Sequence, residues 1–137
     1  MMNTWGKQSL AERATSDPWL NDIGDVVLQI KDHSVVKGHR GRKEQDAAFF
    51  ATPQRTKLRW PNGNHNAMPS KAQDVRSYPF PEKEQEQREE QLYLLGLYKG
   101  VAVMKDIPLR TGADWDRDGE ILDNGFDDFF HVEIDRH

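Results

Sequence analysis

"SDPWLNDIGDVVLQIKDHSVVKGHR" (Ser16–Arg40) places a helix directly before a strand. Asp17 is a helix cap, Pro18 suits the first helical position, and Leu20, Ile23, Val27 and Ile30 recur at helical spacing. "SVVKGHR" then reads as a short strand ending at Gly38. Working outward, Arg42–Ala51 suits a second helix, and a turn-rich stretch without periodicity leads to "AQDVRSYPF", a strand closed by Pro79. The longest helix is expected from Pro81 to Lys105, with a buried stripe of Leu92, Leu94, Leu95, Tyr98, Val101 and Ala102. "IPLR" and "FFHVEI" close the chain as two strands. Helices and short strands without a βαβ rhythm predict an α+β fold, a short antiparallel sheet flanked by helices.

The 137 residues suit a single domain over 1–137, with the polar stretch 1–15 weakly ordered apart from any docking by Trp5 and Leu10. No separate second domain is expected. A net charge of −4 argues against general affinity for nucleic acid, and no apolar run predicts membrane insertion. The amino-terminal residues lack the apolar segment of a signal peptide, so folding in a cytoplasm is expected. With no cysteine, disulfides, thiolate metal sites and a cysteine nucleophile are excluded, and any metal must sit on His, Asp or Glu.

Two of the five histidines have informative company. His65 lies in a turn, followed nine residues later by Asp74 on a strand, and His131 lies in "DDFFHVEI". Together His65, Asp74 and His131 would supply two neutral ligands and one anion, the three-ligand set that leaves a zinc position open for water. Asp128 is the natural general base. Residues three apart on a strand face opposite ways, so Asp128 is expected in the turn entering the strand, with Glu133 sharing a face with His131 and supporting it. Each residue alone has an ordinary reading: a surface histidine, a turn cap, a satisfied core histidine, the end of a solvated loop.

The segment Asp114–Asp135 carries nine acidic residues. Asp114, Asp116, Asp118 and Gly119 match positions one, three, five and six of a calcium loop. Position twelve is Gly125, where a bidentate glutamate is needed, and Asp123 stands two residues early. Asp114, Asp116, Asp118, Glu120 and Asp123 are therefore a candidate calcium set, with a solvated acidic loop as the alternative.

"VVKGHRGRKEQDAAF", "TKLRWPNGNHNAMPSKAQDV" and "GADWD…FDDFFHVEI", in this order over residues 16–135, resemble the VanY-like zinc peptidases, in particular small phage endolysins of the L-alanyl-D-glutamate peptidase type. The resemblance implies a zinc endopeptidase acting on the stem peptide of bacterial peptidoglycan. By position it makes His65, Asp74 and His131 the zinc ligands, Asp128 the base, and Arg40 the residue that steadies the substrate carbonyl and oxyanion. Arg42 is close enough to be confused with Arg40, and an exposed salt-bridging arginine is the ordinary reading of both. The His65–Asp74 spacing resembles the phage branch, favouring an endolysin over a D,D-dipeptidase. The resemblance further implies a bacteriophage origin, action on the cell wall after release from the host cytoplasm, and an antimicrobial effect. A monomer is expected. The rival readings are a D-alanyl-D-alanine carboxypeptidase and a non-catalytic, calcium-stabilised binding or structural module.

Overall fold

The structure is a computed structural model describing residues 2–122 and 128–135. Its elements are helices α1 (Lys7–Arg13), α2 (Pro18–Ile30), α3 (Arg42–Phe49) and α4 (Glu84–Met104), and strands β1 (His33–Lys37), β2 (Ala72–Ser77), β3 (Leu109–Thr111) and β4 (His131–Ile134). The strands form one antiparallel sheet in the order β1-β2-β4-β3, confirming the α+β expectation.

Period-two alternation explains how so short a sheet separates a core from a site. On β4, Val132 and Ile134 enter the core while His131 and Glu133 take the other face. On β2, Val75 enters the core and Asp74 faces away from it. Helices α2 and α4 pack on one another and cover the apolar face, bringing Leu20, Ile23 and Val27 against Leu94, Leu95, Tyr98 and Ala102. Asp17 caps α2 as its sequence implies, accepting from the Trp19 amide at 2.8 Å. Leu92 and Val101, expected in the buried stripe of α4, are partly buried against the core, and Gln91 is buried in their place. Gln91 compensates its polarity by bonding the Ser77 amide and the Val75 and Phe129 carbonyls.

The expectation of weak order over residues 1–15 needs correction, since this stretch contains α1. No side chain caps that helix, and its anchors are distant in sequence. Trp5 donates to Asp25, Arg13 pairs with the same carboxylate at 2.7 Å, and Ser9 accepts from the Val35 amide. Trp5 docks as expected, whereas Leu10 is left exposed. Among the described residues, no helix is long and apolar enough to cross a membrane.

His33 at the start of β1 is a structural residue. Its Nδ1 donates to the Lys31 carbonyl, and its Nε2 meets the Tyr98 hydroxyl at 2.8 Å. Burial disfavours the imidazolium and holds the His33 pKa down at about 4. The unfolded chain therefore binds the extra proton first, at about pH 6.5, and stability falls as pH drops from there towards 4. The group's full contribution is about 3 kcal/mol. Urea titrations between pH 7 and 4.5 are expected to show a steeper loss for the wild type than for His33→Gln, and equal slopes would contradict this role.

Candidate functional site

The carboxylate and the two imidazoles predicted to act together do converge. Asp74 and His131 stand directly opposite one another in the β2–β4 ladder. His65 arrives from a short 3-10 turn (Asn64–Asn66). The potential ligand atoms of all three residues lie within 4.8 Å of one another.

Hydrogen bonding sets which nitrogen each ring presents. A carbonyl oxygen only accepts, so the 2.7 Å contact between His65 Nδ1 and the Gly38 oxygen puts a proton on Nδ1 and turns Nε2 towards Asp74. His131 Nε2 likewise meets the Glu133 carboxylate at 2.7 Å, leaving Nδ1 facing Asp74. His65 Nε2 is then 3.3 Å from Asp74 Oδ1, and His131 Nδ1 is 3.6 Å from the same oxygen. His65 Nε2 and Asp74 Oδ1 are buried without a hydrogen-bond partner. Such orphaned acceptors are costly unless something cationic sits among them. In a tetrahedral site with bonds near 2.0 Å, neighbouring ligand atoms are about 3.3 Å apart, which these separations fit. The donor set therefore suits a divalent metal ion.

Electrostatics agrees with this geometry. Burial raises the Asp74 carboxyl pKa, but the attraction of the His131 and His65 imidazoles beside it outweighs this and leaves the group well below the usual carboxylate range. Burial alone would lower His131, yet Asp74 and Glu133 on its two sides lift it to about 9. In a metal-free site that second ring proton takes the place a cation would otherwise fill.

The remaining predicted residues can be placed around this centre. Asp128 lies in the turn entering β4, as strand geometry required, and its Oδ1 accepts from the Phe130 amide at 3.1 Å. It lines the same cleft of about 220 Å³ as the side chains of His65, Asp74 and His131, where burial and the negative charge of Asp74 raise its pKa. Arg40 also lines this cleft, with Nη2 3.7 Å from Asp74 Oδ2 and Nη1 donating to Gln45. Arg42 is exposed on α3 beside Asp46 and does not line it. In the acidic loop the carboxylates of Asp114, Asp116 and Asp118 group together, while Glu120 falls outside the group and Asp123 lies outside the described residues. Asp114 already accepts from the amides of Asp118 and Gly119, and Asp118 from that of Glu120, so the loop's carboxylates have backbone partners of their own.

Several supporting residues were not visible in the sequence. Arg110 on β3 donates to Glu133 through Nε at 3.2 Å and Nη2 at 2.8 Å, steadying the carboxylate that orients His131. Trp115 lies against the His131 ring, with centroids 5.2 Å apart, and carries the Arg110 guanidinium over its own face. Buried Gln45 ties Arg40, Asn66 and the Leu58 carbonyl together. Two glycines permit close approach: a side chain at Gly38 would strike the Glu12 carbonyl, and one at Gly112 would strike the Asp128 backbone. The periodicities of Arg110 and Gly112 are those of any short strand, so only the β3–β4 register reveals what they face.

No family model matches the sequence, and no curated protein matches it. Among solved structures, the chain is similar to the crystal structure of Serratia marcescens L-Ala D-Glu endopeptidase ChiX, with a TM-score of 0.65 and 18% identity. The match covers 94% of this chain and 87% of that one. At this level of identity the likeness is one of fold.

Proposed function

We propose that this chain is a zinc-dependent endopeptidase that cleaves the stem peptide of bacterial peptidoglycan at the L-Ala–D-Glu bond. The observation that carries this reading is the convergence of unpartnered acceptor atoms from His65 and Asp74 with His131 beside the half-buried carboxyl of Asp128. The fold shared with a protein described as an L-Ala D-Glu endopeptidase supports the choice of substrate.

His65 Nε2, Asp74 Oδ1 and His131 Nδ1 would hold the ion. Zinc there supplies a Lewis acid for activating water and polarising a carbonyl. Asp128 accepts the proton of the attacking water and returns it to the leaving amine. Its upward-shifted pKa makes it a better base than an exposed carboxylate would be. Arg40 presents its guanidinium to the negative charge that develops on the carbonyl oxygen. Glu133, itself held by Arg110, and the Trp115 ring keep His131 in one orientation.

Metal loading has a proton signature. His131 carries an extra proton below about pH 9, and binding must displace it. Zinc titration at pH 7 in buffers of different ionisation enthalpy is expected to register release of about one proton per ion, with apparent affinity rising towards pH 9. Release of none would remove His131 from the ligand set.

The function itself is tested by mass spectrometry of peptidoglycan digested with and without a zinc chelator. Chelator-sensitive release of peptides with a new D-Glu amino terminus is expected. Loss of terminal D-Ala alone would make the protein a carboxypeptidase, and intact peptidoglycan with zinc bound would favour a non-catalytic module.

A further inference from the structure

A second cleft of about 530 Å³ adjoins the one just described and shares Arg40, Arg55, Asp74 and Asp128 with it. Its lining sets three carboxylates, Glu44, Asp74 and Asp128, against four cations, Lys37, Arg40, Arg55 and Arg76. Three of these four are engaged within the fold. Lys37 pairs with Glu44 at 2.7 Å and lies 3.8 Å from Glu12. Arg40 is held by Gln45 and Asp74, and the Arg76 guanidinium sits 4.1 Å over the Phe80 ring. Among the described residues, no ion pair or side-chain hydrogen bond holds the guanidinium of Arg55.

The backbone beneath that guanidinium is nevertheless anchored. The Arg55 amide donates to the Ala48 carbonyl at 3.0 Å, and Gln45 holds the Leu58 carbonyl three residues on. The segment is thus tied to α3 and presents an uncommitted planar cation where the two clefts meet. Guanidinium is suited to bidentate pairing with a carboxylate.

The proposed substrate offers such a carboxylate. A glutamyl residue in a linear peptide uses one carboxyl in the chain and keeps the other, so the leaving side of an L-Ala–D-Glu bond carries an anion close to the scissile nitrogen. We propose that Arg55 is a specificity-determining residue that pairs with this free carboxylate and selects D-glutamyl over amidated D-isoglutaminyl substrates. The inference rests on the peptidase reading and deepens it.

The test is equilibrium binding to the zinc-loaded full chain carrying Asp128→Asn to prevent turnover. The probes are two stem peptides that differ only in whether the D-Glu carboxyl is free or amidated. The free acid is expected to bind about ten- to thirtyfold more tightly, the range for a charge-assisted pair in a partly open cleft. Arg55→Gln is expected to erase the difference by weakening the acid alone, and Arg55→Lys to restore part of it. Equal affinities, failure of both peptides to bind, or selectivity surviving in Arg55→Gln would each overturn the assignment. Hydrolysis by the chain with Asp128 intact is followed in parallel. Arg55-dependent selectivity without hydrolysis would uphold the assignment and overturn the peptidase reading instead.

Discussion

Replacing Asp128 with alanine is expected to lower kcat/KM for peptide hydrolysis by about a thousandfold, within the range for loss of general acid–base catalysis. The same variant is expected to bind zinc normally, because the acceptor atoms that converge belong to His65, Asp74 and His131. It should also fold at least as well as the wild type. A carboxyl whose pKa is raised on folding binds its proton more tightly in the folded state than in the unfolded one. Once pH exceeds both values, its ionised form opposes folding. Removing Asp128 relieves that burial and its repulsion with Asp74. Lost activity with bound zinc and an unchanged or higher melting temperature would identify a residue kept for chemistry at some cost to stability. Unchanged lysis would remove Asp128 from the mechanism, and a large fall in stability would make it structural.

Gly112→Ala is expected to damage the same carboxylate from outside the cleft. An added Cβ would lie 1.9 Å from the Asp128 carbonyl oxygen and 2.8 Å from its carbonyl carbon, both backbone atoms. Neither segment can easily retreat. The Gly112 amide donates to the His131 carbonyl at 2.8 Å, and the Asp128 amide donates to the Gly112 carbonyl at 2.9 Å. Relief requires stretching the pairing that carries both a metal-ligand candidate and the proposed base. Overpacking of this kind costs about 3 kcal/mol, and a displacement near 1 Å at a reacting group costs about a hundredfold in rate. Urea unfolding and peptide hydrolysis measured on the one variant check both halves. Wild-type values in both would show that the chain accommodates the methyl group without moving Asp128.

These two residues also mark how far local sequence could be read. The position of Asp128 was legible because a strand's alternation forbids residues 128 and 131 from sharing a face, which placed it in a turn. The candidate ligand set was legible because a chain without cysteine leaves few ways to hold a metal. Helix α2 announced itself through Asp17, Pro18 and its apolar spacing. Gly112 and Arg110 carry no local signal of their roles, and residues 1–15 read as a polar tail. Their roles come from contacts with residues far away in the chain: Asp128 across β3 and β4, Glu133 on the neighbouring strand, and Asp25 on α2. Such partners follow from register and packing, and neither leaves a periodic trace.

The direct pairing of Asp74 with His131 makes the centre a gauge of strand alignment. A slip of one residue between β2 and β4 would set Val132 opposite Asp74 and turn His131 into the apolar layer. A misaligned but compact chain would keep its helices and lose its two-histidine grip. Cobalt substituted for zinc, whose visible absorption depends on its ligands, would therefore report correct alignment during refolding, a distinction that helical circular dichroism does not make.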